Sequence, residues 1–154
     1  MNRDVQIGIA LGALFGAWAL ISTARDPLAA DSIPAVALFY FPMFTTWGFA
    51  GFRAYRRDHR LTSALRSGTL VAFVTFVVLH IAQFIRINLF LDAIAARLDW
   101  TYLVSSYQAS GVGSLRAYAN YLYLKEAPFK ILTFSLIGAA FGSLGGVAAQ
   151  LRRR

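Results

Sequence analysis

The chain has 154 residues, 58% of them hydrophobic and 14% charged, and carries a net charge of +8. Soluble domains hold roughly a quarter charged residues; here the charges gather in short stretches between apolar runs of about 20 residues, the length a helix needs to cross a hydrocarbon core. Cysteine is absent, which excludes disulfides, thiolate metal sites and thiol nucleophiles.

A basic balance of this size points to nucleic acid in a soluble protein. In a membrane chain the same residues act as topology signals and contact anionic lipid, so no nucleic-acid partner is expected. The pattern predicts an all-α integral membrane bundle of four transmembrane helices, forming one domain over residues 1–154, with a short helical outer insert between the third and fourth.

The first span is expected over residues 5–22. Gly8, Gly12 and Gly16 recur at every fourth residue and therefore share one face. Arg25, Asp26 and Pro27 end it. Met1 to Ala24 also has the outline of a signal peptide closing on Ser22-Thr23-Ala24. Its apolar run, about eighteen residues, exceeds the 7–15 usual for a signal core, and the glycine spacing suits packing. A retained helix is the reading adopted.

The second span is expected over residues 34–52. Asp31-Ser32-Ile33-Pro34 supplies a capping residue and a first-position proline. Pro42 removes a backbone donor and frees the carbonyl of Leu38, which predicts a kink. The hydroxyls of Thr45 and Thr46 are placed to satisfy freed groups. Arg53-Ala-Tyr-Arg-Arg-Asp-His-Arg60 follows as the densest charge run, read as a loop in which His59 is solvated. A third span is expected over 69–91.

Residues 92–127 form the outer insert, too polar to span. Ser110-Gly111-Val112-Gly113-Ser114 reads as a break between two helical pieces. After it Leu115, Tyr118 and Leu122 recur at helical spacing, with Ser114 as N-cap. Trp100, Tyr102, Tyr107, Tyr118, Tyr121 and Tyr123 suit a membrane–water boundary, where a ring can be apolar and its tip wet. A helical hairpin lying on the outer face is expected. Pro128 is read as the first residue of the fourth span, 128–150, and Arg152 to Arg154 close the chain.

Positive charge resists translocation, most clearly in short loops. With the N-terminus inside, the inner segments hold Arg3, Arg53, Arg56, Arg57, Arg60, Arg66 and Arg152 to Arg154, nine of the fifteen basic residues, against Asp4 and Asp58. Both termini are therefore expected in the cytoplasm.

Lipid is as apolar as leucine, so helices associate in a bilayer through close backbone approach. Gly138, Gly142 and Gly146, with Ser135, make a stripe on the fourth span that matches Gly8, Gly12 and Gly16 on the antiparallel first. The two stripes are expected to pack on each other or to form a protein–protein seam.

Ionisable residues inside a membrane are functional hypotheses by default. No Asp or Glu falls inside the expected spans, which argues against a carboxylate proton relay. His80, Gln83 and Arg86 share one face of the third span and define a candidate polar face. His80 is also the one candidate cofactor ligand, since imidazole binds haem iron or a pigment metal; a neutral histidine bonded to its surroundings is the plainer reading. Arg86 is expected to snorkel to the outer headgroups. No nucleophile elbow, phosphate loop or metal-ligand cluster is present.

Three stretches resemble a family of four-helix bacterial membrane proteins, one of the domain-of-unknown-function families. Gly51-Phe-Arg-Ala-Tyr-Arg-Arg57 leading to Ser63-Ala-Leu-Arg-Ser-Gly68 is similar to its basic loop. Tyr107-Gln-Ala-Ser-Gly111 with the helix ending Ala127-Pro128-Phe129-Lys130 is similar to its outer insert, though richer in Tyr and poorer in acidic residues. The small-residue fourth span with its basic tail is similar to its C-terminus. The resemblance implies four spans and a bacterial inner membrane, and brings no activity.

The reading from sequence is a non-enzymatic structural, assembly or accessory subunit, without a cofactor, whose partners are the bilayer with its anionic lipids and other membrane subunits or itself. Two alternatives stand: an oligomeric transporter or channel lined by Pro42, Thr45, Thr46 and the His80 face, and a haem- or pigment-binding subunit through His80.

Overall fold

The computed structural model describes residues 2–28 and 32–152. Asp31, Arg153 and Arg154 therefore lie outside the described residues. Four helices are long and apolar enough to cross a membrane: α1 (Arg3–Arg25), α2 (Ile33–Asp58), α3 (Leu61–Ala95) and α5 (Leu115–Leu151). A 3-10 turn (Leu98–Trp100) and a short α4 (Thr101–Ser110) stand between α3 and α5. The fold is an all-α membrane bundle.

The helix ends follow from local chemistry. Asn2 caps α1 by accepting from the Asp4 amide. The Ser32 hydroxyl accepts from the Ala35 amide with Pro34 in the first turn of α2, and the Ser114 hydroxyl accepts from the Ala117 amide. Gly111 ends α4 at φ 70°, a left-handed conformation that glycine adopts without cost.

Several boundaries differ from the sequence reading. α2 runs on to Asp58 and α3 begins at Leu61, so the basic run is mostly helix. His59 is exposed, as expected, but it ends α2 at φ 55°, with its ring 6.4 Å from Tyr55. α2 stays helical through Pro42, and Thr45 and Thr46 donate to the Phe41 and Pro42 carbonyls rather than to Leu38. A break in helical dihedrals occurs in α3, at Phe90 (φ −120°, ψ 20°). Arg116 Nη1 donates to the Asn88 carbonyl at 2.7 Å, and a side chain inserted at a helix carbonyl is a known cause of kinking. Pro128 is interior to α5, which is continuous from Leu115. The outer insert is thus no separate hairpin. Its second half is an extension of the fourth span.

α3 is the hub, touching α1, α2 and α5, while α1 meets little besides α3. The glycine stripes explain this, and they correct the expectation that they pack on each other. A Cβ on Gly8 would lie 2.6 Å from Val74 Cβ, on Gly12 2.6 Å from Val78 Cβ, and on Gly16 2.5 Å from Ala82 Cβ. A Cβ on Gly142 would lie 2.6 Å from the Ala64 carbonyl and on Gly146 2.7 Å from Ala64 Cβ; one on Gly138 would strike Ala72. Both stripes therefore face α3, the first along Val71, Val74, Val78 and Ala82 and the other along Ala64, Gly68 and Ala72. A third seam joins α2 to α5: a Cβ on Gly51 would strike Gly142, and one on Gly145 would strike Gly48. Away from the seams the space is filled by rings. Tyr40 stacks on Phe134, Phe134 on Phe76 at 3.9 Å, and Phe44 on Phe141.

Candidate functional site

Two polar clusters sit at opposite ends of the apolar bundle. At the basic end the Asp4 carboxylate accepts from Arg53 Nη2 at 2.9 Å and from the Ser67 hydroxyl at 2.8 Å, tying α1, α2 and α3 together. At the far end Arg86 Nε donates to Thr23 Oγ1 at 2.6 Å, across to α1, and Arg86 Nη1 donates to Gln83 Oε1 at 3.0 Å. Ser67 and Arg86 are separated by about 28 Å of helix at 1.5 Å per residue, as are Asp4 and Thr23. That is close to the roughly 30 Å of a hydrocarbon core. The two clusters are thus spaced as the two faces of such a core are. Arg86 is thereby tied to α1.

Beyond the far cluster α3 and α5 continue as a pair. Asn88 and Asn120 exchange amide hydrogen bonds at 2.9 and 3.0 Å. Ile87, Leu91 and Ala119 form a small core there, covered by Trp100, Leu103, Leu115 and Tyr123. Arg97 is buried against Asp99 through two bonds of 2.8 and 2.9 Å. Tyr102 and Tyr121 are exposed.

The register of this pair sets the depth of the α5 charges. Asn120 is level with Asn88, and the two helices are antiparallel. Counting inward at 1.5 Å per residue puts Glu126 about 6 Å, and Lys130 about 12 Å, deeper than Arg86. Lys130 Nζ and Glu126 Oε2 are 2.7 Å apart, and the side chains are 48% and 55% exposed. The sequence reading left Glu126 outside the fourth span because Pro128 looked like a helix start. The continuous α5 carries it to the bundle side of Arg86, and a slab drawn between the two clusters takes in this acidic residue.

His80 belongs to this far half. Its Nδ1 is 2.8 Å from the Phe76 carbonyl, and Tyr123 donates from its hydroxyl to the His80 carbonyl at 3.2 Å. The His80 and Tyr123 rings are 5.5 Å apart. A carbonyl only accepts, so Nδ1 carries the hydrogen, and in the neutral imidazole Nε2 then keeps its lone pair. The candidate polar face is thereby divided: His80 packs towards α5, while Arg86 bonds to Thr23 of α1 and holds Gln83 beside it. Thr45, by contrast, is exposed on α2; it and His80 do not line one path through the chain. Gly48, Gly51, Gly68 and Gly145, together with the Glu126–Lys130 pair, are features the sequence reading missed. The three-residue interval of Gly48 and Gly51, repeated in Gly142 and Gly145, was the available signal.

Comparison with protein-family models, curated proteins and solved structures finds no match. Among the described residues no three His, Cys, Asp or Glu side chains are grouped to hold a metal ion.

Proposed function

We propose that this is a non-catalytic subunit of a bacterial inner membrane, its basic end in the cytoplasm, which seats on another membrane protein through the outer half of α5. The observation that carries this reading is the Glu126–Lys130 pair. Ionised groups in a bilayer are costly, and such residues almost always face a protein interior or a wet cavity. Here both are about half exposed on the bundle's outside. A second protein laid over this face would take them out of lipid. The glycine seams support the same division of labour: they are used up inside the chain, leaving the α5 face as the outward-looking feature.

The test is photo-crosslinking in native membranes from position 129, since Phe129 is exposed next to the pair. A discrete adduct with a different protein is expected, with none from position 144 on the basic half of α5. Crosslinks to lipid alone would end the accessory-subunit reading.

A second reading has one observation in its favour. The Nδ1 bond to Phe76 leaves His80 Nε2 as the ligand nitrogen, and ligating histidines typically donate their other nitrogen to a carbonyl or carboxylate. A haem or pigment subunit would show a visible absorption band after gentle extraction, lost in His80→Ala. Colourless protein would dispose of that alternative.

A further inference from the structure

We infer that the groove between α3 and α5 binds one anionic phospholipid from the leaflet at the basic end, an acyl chain lying along the groove and the phosphate resting on Arg66. The groove has a volume of about 690 Å³. Its walls are Leu65, Leu70, Phe73 and Val77 of α3 with Pro128 and Leu132 of α5. Thr69 and Ser135 also line it, but their hydroxyls are bonded within their own helices, to Leu65 O at 2.9 Å and Ile131 O at 2.7 Å. The floor thus presents hydrocarbon and asks for no polar ligand.

Length and position select a lipid over a protein segment. From Leu65 to Val77 the groove follows about 18 Å of helix, about three-fifths of a core roughly 30 Å thick. It starts level with the Asp4–Arg53–Ser67 cluster and stops near mid-membrane. A transmembrane helix would need a groove running through both leaflets. An acyl chain needs one.

Charge selects the headgroup. Arg66 stands at the mouth, exposed, with no hydrogen bond or ion pair to any described residue. Arg53 is engaged with Asp4 and Arg57 with Asp58, and of the exposed arginines at this end, Arg3, Arg56, Arg60 and Arg66, it is Arg66 that lines the groove. A guanidinium at the headgroup level matches a phosphate through paired N–H donors.

The test is native mass spectrometry of the purified full chain, titrated with phosphatidylglycerol or phosphatidylcholine of matched chains. One phosphatidylglycerol should be retained in preference to phosphatidylcholine. Arg66→Gln should cut that preference about fivefold, the worth of one basic side chain at an anionic surface, and Arg66→Lys should keep most of it. Leu132→Trp, a change at an exposed position, should fill the groove and abolish retention of either lipid. Equal retention of the two lipids by the unaltered chain would overturn the inference. So would phosphatidylglycerol retention unchanged in both Arg66→Gln and Leu132→Trp, or a dimer that forms in place of the lipid-bound monomer.

Discussion

Gly142→Ala is the sharpest probe of how the bundle closes. The new methyl would stand 2.6 Å from the Ala64 carbonyl oxygen and 2.9 Å from Gly68 Cα, while a Cβ on Gly51 already has no room against Gly142 itself. Those neighbours are backbone atoms, which cannot turn aside as a side chain would. Relief requires α5 to retreat by about 0.8 Å, and a gap of 0.5–1 Å forfeits a quarter to a half of each dispersion contact along the seam. Overpacking of this kind costs about 1–3 kcal/mol, and the rigid partners place Gly142→Ala at the upper end, about 2–3 kcal/mol. Gly142→Leu should cost more. The assay is reversible unfolding in mixed micelles of mild detergent and dodecyl sulfate. Gly113→Ala serves as the control, because nothing lies within 4 Å of a Cβ there. A Gly142→Ala protein within about 0.5 kcal/mol of the unaltered chain, the range of neutral surface changes, would refute close backbone approach as the seam's basis.

Other outcomes are expected from the same geometry. Trp47 is fully buried, with Nε1 lacking a hydrogen-bond partner among the described residues. Trp47→Phe should therefore cost about 1–2 kcal/mol against about 3–5 for Trp47→Ala; equal losses on unfolding would contradict this. Asp4→Ala removes an acceptor shared by Arg53 and Ser67 and should cost about 2 kcal/mol, most of it as coupling to Arg53 in a double-mutant cycle. Zero coupling with Arg53→Met would show the cluster to be incidental. Beyond the basic end the Arg57 guanidinium, and then the Ser63 hydroxyl, hold the Asp58 carboxyl at about 2 against an ordinary 3.8. A lowered carboxylate contributes stability that is fully present above its ordinary value and is lost as pH falls through its folded value. In a carboxyl NMR titration Arg57→Gln should move the Asp58 midpoint up towards 3.8, and a midpoint still near 2 would show that Arg57 is not the cause.

Much of this molecule was already legible as a string of residues. Apolar runs long enough to cross a bilayer, the caps at Ser32 and Ser114 and the break at Gly111 are local facts, set by hydropathy and by backbone chemistry within a few residues. What no local signal decided is which partner each stripe would meet. A glycine stripe permits another helix to come close, but small or β-branched side chains such as Val74, Val78, Ala82, Ala72 and Ala64, which it meets here, occur along every span. Only the assembled bundle set Gly8, Gly12 and Gly16 and Gly138, Gly142 and Gly146 along two different rows of α3 residues. Depth was hidden for a related reason. Pro128 reads locally as a helix start, and only the register of Asn120 on Asn88 shows that α5 runs through it and carries Glu126 and Lys130 to the bundle side of Arg86. The free nitrogen of His80 likewise depends on where the ring reaches Phe76 O. Composition determined that the chain lives in a membrane, while the helix-to-helix register, a long-range property, decided which of its charges fall between the two polar clusters.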